Sequence, residues 1–211
     1  SIRLNQDLFA KIKAVYDKRE TLNLDTEKMR LVEKIYRDFE RGGAALPEEK
    51  REELKKISER MSMVSLLLNE NLLKENSGFT LVIDDEADLD GLPEWVRAGA
   101  AELAQKAGME GKWLFNLSKP SWIPFLQFSK RRDLREKLYT AYFMRGDNDN
   151  ENDNKKLFAE LMVLRQKMSN ILGYANYGEY STDDQMAESP ENVYKFLLDV
   201  WKIGRASCRE R

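Results

Sequence analysis

The sequence predicts a mostly α-helical protein with one small two-stranded β ribbon. Apolar residues recur at helical spacing along most of the 211 residues, and typical cap and stop residues bound these stretches. Only two short segments have the β-branched or alternating pattern of strands. Because 42% of the residues are hydrophobic, a chain of this length can bury a core.

The first two helices are indicated by their apolar spacing and by their ends. In the opening helix the apolar positions are Leu4, Leu8, Ile12 and Val15. Asp25 is a typical N-cap for the second helix, because its carboxylate can accept a hydrogen bond from a free N–H group of the first turn. Gly42 and Gly43 end that helix, since glycine readily adopts the left-handed conformation that follows a helix.

A longer third helix is predicted from Pro47 to Lys74. Proline and two acidic residues are favoured in the first turn of a helix. The N–H that proline lacks has no partner there, and the acidic side chains interact favourably with the helix dipole. The apolar stripe of this helix consists of Leu54, Ile57, Met61, Val64, Leu68 and Leu72. At 1.5 Å per residue the helix is about 40 Å long, which suits a rod within a larger all-α body.

The two strand-like segments are residues 79–83 and 112–117, and we expect them to pair as a ribbon. Between them a helix begins at Leu92-Pro93-Glu94 and runs to about Ala107, where Gly108 closes it. After the second strand, residues 119–124 contain two prolines and read as a turn-rich aromatic segment.

Further helices follow in the last third of the chain. One starts at Asp133 and ends near Arg145-Gly146, and a polar run at residues 147–154 comes after it. The next helix is closed by Gly173, and its stripe is Leu157, Leu161, Leu164, Met168 and Leu172. Ser189-Pro190-Glu191 is a strong start for the last one.

Residues 203–211 break the pattern of the rest of the chain. They carry the only cysteine and three arginines, and they resemble the translation of a sequencing adapter. We therefore expect an artefact at 203–211 and a natural sequence at 1–202, with a natural basic tail as the alternative. Because the chain opens with Ser1 and not with Met, we also expect it to be a piece of a longer protein.

Composition excludes several functions for these residues. Without histidine the chain has no Ser-His-Asp triad and no His-ligated metal, and one cysteine excludes an internal disulfide or a multi-Cys zinc site. A net charge of −2 gives no support to a nucleic-acid partner, and no run of about 20 apolar residues predicts a membrane span. No signal peptide is visible, so we expect a cytoplasmic protein, with the periplasm as the alternative.

Three charged runs are candidate sites. The run at 147–154 resembles a calcium loop, but the sixth and twelfth positions hold Asn152 and Phe158 where that loop needs Gly and Glu. We favour a solvated connection in which Asp153 or Asn154 caps the next helix. The acidic cluster at 84–90 is interpreted as a strand-to-helix connection with a capping acid. The basic run at 130–132 is interpreted as a solvated loop, with an anion contact as the alternative.

Other side chains leave two interpretations open. Arg135 and Arg145 are either buried and paired with a carboxylate, which is a structural role, or lining residues of a channel, which is a functional one. Helical serines without histidine are usually packing residues; these are Ser58, Ser62 and Ser65. Asn116-Leu117-Ser118 matches the glycosylation pattern, which has little specificity. The aromatic segment 122–125 is more typical of a core than of a ligand wall.

A series of motifs in fixed order resembles the M3 zinc metallopeptidases, the thimet oligopeptidase family, and within it the peptidyl-dipeptidase branch. The first is Arg30–Phe39 with Gly42-Gly43-Ala44, and the second runs from Leu89 to Trp113. The others are Leu134–Tyr139, Asn148-Asp149-Asn150, Leu164-Arg165, Leu172-Gly173-Tyr174 and Met186–Pro190. Together they span residues 1–202.

The resemblance implies a two-lobed, mostly α-helical enzyme with a channel for short peptides, of which 1–202 form part of the N-terminal lobe. It implies Zn²⁺ held by a His-Glu-x-x-His helix and a later Glu. This motif does not occur in the 211 residues, which contain no histidine. We therefore assign no catalytic, cofactor-binding or metal residue to this chain and expect it to be inactive without the missing lobe. Two alternatives remain, an endo-acting oligopeptidase of the same family and a stand-alone helical interaction protein.

Overall fold

The computed structural model describes the backbone of residues 2–209 and the side chains of residues 2–205. Within them the chain forms two compact units. The first consists of the chain up to Ser62 and the chain from Leu161 onwards, and the second is Met63–Glu160. None of the described helices is both long enough and apolar enough to cross a membrane.

The first unit is built from helices only. Its elements are α1 (Gln6–Asp17), α2 (Thr26–Arg41), the start of α3 (Glu48–Gly78), most of α7 (Lys155–Ile171), α8 (Tyr177–Thr182) and α9 (Pro190–Arg209). Asp25 caps α2 as predicted, because its side chain accepts the N–H of Lys28 at 2.8 Å. The core between α1 and α2 is small, with Phe9, Phe39 and Ala44 as its buried members.

The second unit surrounds the predicted ribbon. It contains β1 (Leu81–Ile83), α4 (Glu94–Lys106), β2 (Trp113–Phe115), α5 (Lys119–Phe128) and α6 (Arg132–Phe143), together with the end of α3 and the start of α7. The strands pair antiparallel, with Leu81 opposite Phe115. A single apolar cluster joins these elements through Leu81, Ile83, Leu89, Leu92, Val96, Ala100, Phe115, Leu117, Phe125, Leu134 and Leu138.

Two sharp turns depend on glycine. Gly43 has φ +90° after α2, and a Cβ there would lie 2.4 Å from a methyl carbon of Leu54. Gly91 has φ +86°, and a Cβ there would lie 2.3 Å from the carbonyl oxygen of Phe128. A side chain at Gly91 would therefore displace main chain, whereas one at Gly43 would require the Leu54 side chain to move and would also be strained by the positive φ.

The prediction of a mostly α-helical chain with one ribbon is confirmed, and α3 extends four residues beyond the predicted end. The prediction for residues 119–124 is wrong, because they are the first part of α5. Pro120 lies in the first turn, where no N–H is needed, and Pro124 lies inside the helix and is buried, although proline usually breaks a helix there. The short helix α8 was not predicted.

The structure continues α9 through residues 203–209, which the sequence analysis excluded from the fold. Residues 203–209 contain one glycine, Gly204, and no proline. One glycine costs a helix only about 1 kcal/mol. The adapter origin of residues 203–211 stays a prediction, and residues 210 and 211 lie outside the described part of the chain.

Candidate functional site

The acidic cluster and the basic run, both in the second unit, neutralise each other. Arg131 forms ion pairs with Asp88 and, at 2.8 Å, with Asp133. Lys130 pairs with Asp90 at 3.2 Å. The side-chain hydrogen bond from Arg131 lowers the pKa of Asp133 to about 2. Lys130 and Arg131 are thus paired, whereas Arg132 is exposed, forms no ion pair within the described part of the chain and lines a groove beside α6.

Asp85 has the capping role that the sequence predicted for the acidic cluster. Its carboxylate accepts the N–H of Ala87 at 2.9 Å and starts a single turn of 3₁₀ helix at Glu86–Leu89. Asp84 pairs with Lys112 at 2.7 Å, at the end of the ribbon where the chain leaves for α4 and returns. These carboxylates are therefore structural, and the arrangement does not set up a pair of acids for proton transfer.

The polar run at 147–154 closes around a lysine. The ammonium group of Lys155 lies 2.5 Å from Asp147, 2.8 Å from Asp149 and 2.7 Å from Asp153. Its charge neutralises these three carboxylates, which is compatible with the predicted connection. Hydrogen bonds to Asp147, Asp149 and Asp153 hold the pKa of Lys155 well above its ordinary value. Asp153 also accepts the N–H of Lys155 at 2.9 Å, at the start of α7.

Glu75 on α3 fixes this loop from the other side, which sequence reasoning missed. Its carboxylate accepts the N–H of Gly146 at 2.7 Å and the side-chain amides of Asn148 and Asn150 at 2.9 Å each. Partial burial raises the pKa of Glu75, but these three hydrogen bonds outweigh it and lower the pKa below its ordinary value. Asn154 adds a bond of 3.1 Å to the carbonyl oxygen of Leu68.

Arg135 and Arg145 both donate hydrogen bonds to main-chain carbonyl oxygens of the second unit. Arg135 donates to the carbonyl oxygen of Ser129. Arg145 donates to the carbonyl oxygen of Tyr142 at 2.7 Å and to the side chain of Asn76 at 2.6 Å, and it stacks over the Tyr142 ring. Neither arginine pairs with a carboxylate within the described part of the chain; their partners are carbonyl oxygens and Asn76, and Arg135 also lines a groove beside α6.

The aromatic segment divides between core and surface. Phe125 is fully buried and meets Phe115 edge to face at 4.6 Å, as the core interpretation predicts. Trp122 packs on Tyr142 with ring centroids 3.9 Å apart. Its indole nitrogen is buried without a hydrogen-bond partner among the described residues. Nearby, Phe143 is exposed, so this cluster reaches the surface of the second unit.

The remaining candidates have local roles. The hydroxyl of Ser62 donates to the carbonyl oxygen of Ser58 at 2.9 Å within α3. The side-chain oxygen of Asn116 accepts the N–H of Ser118 at 3.0 Å, which forms a turn ahead of α5. Because the sequence has no histidine, the candidate serines of α3 lack the usual general base.

One partly buried network in the first unit has no sequence signal. The guanidinium of Arg41 pairs with Asp183 and donates to the carbonyl oxygen of Tyr180 at 2.8 Å. The hydroxyl of Tyr174 donates to Asp183 at 2.9 Å, and burial together with that carboxylate raises the pKa of Tyr174. The network fastens α2 to the segment around α8, with partners more than 130 residues apart in the chain.

The residues present do not fit a zinc site of the kind that the resemblance implies. The sequence has no histidine. Within the described part of the chain, no group of three or more His, Cys, Asp or Glu side chains is arranged to hold a metal ion. No step of a metal-assisted reaction can therefore be assigned to these residues.

Two shallow grooves flank α6 in the second unit. The edge groove, about 690 Å³, lies between α6 and the start of β1; its lining is Phe79, Thr80, Leu81, Asp133, Glu136, Lys137, Thr140 and Ala141. The arginine groove, about 410 Å³, is lined by Leu126, Arg132, Arg135, Glu136 and Tyr139. Both volumes lie within the range of ligand sites in proteins, roughly 300–1,000 Å³.

Comparison with known proteins supports the resemblance. Residues 125–206 match the sequence model of Peptidase family M3. Dipeptidyl carboxypeptidase from Escherichia coli (strain K12) is 35% identical over 204 residues, which are 97% of this chain and 30% of that protein. Oligopeptidase A from the same organism is 33% identical over 205 residues, which are 95% of this chain and 30% of that protein.

A plant protein extends the set of relatives. The probable cytosolic oligopeptidase A of Arabidopsis thaliana is 32% identical over 194 residues, which are 88% of this chain and 28% of that protein. The chain thus spans about 30% of the length of the curated relatives that it matches. The resemblance to the M3 peptidases that the sequence motifs indicated is confirmed by these matches.

Proposed function

We propose that this chain is part of a zinc-dependent peptidase that hydrolyses short peptides and releases dipeptides from their C-termini. The observation that supports this most is the 35% identity to dipeptidyl carboxypeptidase along 97% of the chain. The zinc ligands and the activating glutamate are proposed to lie outside these 211 residues, since the residues present do not fit them. The described helices would form part of the N-terminal lobe and one wall of the substrate channel.

A second candidate is an endo-acting oligopeptidase of the same family. Oligopeptidase A from E. coli covers almost as much of the chain at 33% identity, so similarity alone favours neither cleavage mode. The groups that would select between them by holding a C-terminal carboxylate are not identified among the residues of this chain. Product analysis separates the two, because only the first enzyme releases dipeptides in sequence from one end.

The partner that we propose is the rest of the parent protein, which would cover α9. This helix exposes a row of large apolar side chains: Tyr194, Phe196, Leu197, Leu198, Val200, Trp201 and Ile203. Trp201 and Phe196 are 66% and 67% exposed. Amphipathic helices of stable proteins bury such a face. The exposed apolar side chains of α9 therefore support the proposal that a further part of the parent protein packs against this helix. A cytoplasmic location is proposed with it.

The test is to extend the reading frame on the source DNA beyond the codon for Lys202 and to express both products. A blocked tetrapeptide substrate is incubated with each protein, with and without a chelator, and zinc is then added back. We expect the extended protein to release dipeptides in a chelator-sensitive way. We expect the 211-residue chain to be inactive under all conditions, because its residues include no zinc site.

Two outcomes would overturn the proposal. One is a genuine stop codon near residue 211, which would favour the stand-alone helical interaction protein, with the long helix α3 as its binding surface. The other is chelator-sensitive hydrolysis by the 211-residue chain itself, which would place the catalytic centre among the residues present. Endoproteolytic products from the extended protein would instead support the oligopeptidase.

A further inference from the structure

The arginine groove is lined by charged groups that the rest of the second unit leaves largely unbonded. Leu126 contributes to it from α5, and Arg132, Arg135, Glu136 and Tyr139 line it from α6. Arg132 is exposed, and its side chain makes no hydrogen bond or ion pair within the described part of the chain. Because a guanidinium group carries five N–H donors, all five donors of Arg132 are available to a ligand.

Arg135 is the second cation of this groove, and one hydrogen bond holds it in place. Its guanidinium donates to the carbonyl oxygen of Ser129 and makes no other bond to the described residues. Ser129 is buried, its N–H donates to the carbonyl oxygen of Phe125 at 3.0 Å, and its hydroxyl accepts the N–H of Arg131 at 3.2 Å. Arg135 is therefore anchored to a fixed point and keeps its other N–H groups for a ligand.

The charge of the groove favours an anion. Arg132 is the first residue of α6 and Arg135 lies one turn later, near the helix end whose partial positive charge repels cations and attracts anions. Asp133 is paired with Arg131. The acid that lines the groove is Glu136, which also lines the edge groove and forms no ion pair within the described residues. Two arginines against one glutamate leave the groove with an excess of positive charge.

We propose that the arginine groove binds a small organic oxyanion, a carboxylate or phosphate group carried on an apolar or aromatic body. Guanidinium groups recognise the oxygens of such groups through paired hydrogen bonds. Beside them Leu126 is partly buried, and the exposed ring of Tyr139 packs on Phe143 with ring centroids 4.3 Å apart. These two side chains offer apolar surface next to the charge, and the volume of about 410 Å³ suits one such molecule.

Binding in this groove should be weak and sensitive to salt. The groove is shallow and Arg132 is exposed, so water and dissolved ions screen the attraction. We expect a dissociation constant of about 1–10 mM at low salt, which rises several-fold at physiological ionic strength.

The experiment follows para-fluorobenzoate and para-fluorophenyl phosphate by fluorine NMR while the 211-residue chain is added. Broadening of the ligand signal reports binding whether or not the chain self-associates, and uncharged para-fluorobenzamide controls for binding through the ring alone. Arg132→Gln removes a charge from the groove without breaking any contact among the described residues. The matched control is Lys137→Gln, because Lys137 is exposed on the same helix and lines the edge groove instead. Glu136→Gln removes the opposing charge.

We expect Arg132→Gln to weaken binding of the anions about threefold or more, Lys137→Gln to change it less than about 1.5-fold, and Glu136→Gln to strengthen it about twofold. The anion that binds more tightly identifies carboxylate or phosphate as the preferred group. Equal weakening by Arg132→Gln and Lys137→Gln, equal binding of the uncharged amide, or no broadening by the parent chain would overturn the inference. The measurement involves no peptide hydrolysis, so its failure leaves the proposed function untouched.

Discussion

The core of the second unit and the helix α9 use similar residues in opposite ways. Eleven side chains of the second unit form one buried cluster that joins the ribbon with the helices around it. α9 carries as strong an apolar face, but its large side chains from Tyr194 to Ile203 are exposed. The comparison shows large apolar side chains that are packed together in one region and open to solvent in the other.

The largest expected effect lies in the buried region. Phe125→Ala removes a fully buried ring that meets Phe115, and we expect the free energy of unfolding to fall by about 3–5 kcal/mol. The measurement is urea unfolding followed by tryptophan fluorescence, because Trp113 and Trp122 pack against this core. The matched control is Phe196→Ala on α9, which should change stability by less than about 0.5 kcal/mol. Equal losses would show that α9 is packed in solution.

A second variant tests the exposed face of α9 directly. We expect the 211-residue chain to self-associate, because a row of large apolar side chains is open to other molecules. Leu197→Asp with Trp201→Asp should convert it to a monomer in light scattering after gel filtration. The control, Lys195→Asp with Lys202→Asp, changes charge more without touching the apolar row. If the control disperses the oligomers equally well, net charge and not the α9 face explains the association.

Local patterns predicted most of the helices and the ribbon, because spacing, caps and glycine stops act within a few residues. The same patterns failed at residues 119–124, where two prolines suggested turns but lie at positions that α5 tolerates. They also could not predict that Glu75 holds the loop at 146–150, or that Arg131 pairs with Asp88. These partners are 43 or more residues apart, and periodicity carries no information about such pairs.

A substitution of Glu75, which holds the loop at 146–150, should have an intermediate effect on the stability of the second unit. Glu75→Gln replaces the carboxylate that accepts three hydrogen bonds with a neutral amide. We therefore expect the free energy of unfolding to fall by about 1–2 kcal/mol. Because the pKa of Glu75 is lowered in the folded chain from an ordinary value of 4.5, its contribution is full above that value. The contribution is then lost as the pH falls through the lower folded pKa.

The measurement is therefore urea unfolding at pH 7 and again below pH 4. The variant should be less stable than the parent chain at pH 7, and the difference should shrink in acid. Glu70→Gln, five residues earlier on α3 and exposed, is the matched control and should leave both values unchanged. A difference that is the same at both pH values would mean that the side-chain charge does not hold the loop.

The smallest effect is expected at Lys155, where the same loop is closed from its solvent side. Its ammonium group contacts three aspartates, but half of the side chain is exposed, at 50%, so water and salt screen the attraction. Lys155→Met should speed amide hydrogen exchange of residues 147–153 by about two- to fivefold while leaving global stability nearly unchanged. Lys156→Met, an exposed neighbour, is the control. Exchange that is equally fast in both variants would mean that Glu75 alone fixes the loop, and added calcium that slows exchange only in Lys155→Met would show that the lysine stands where a cation can bind.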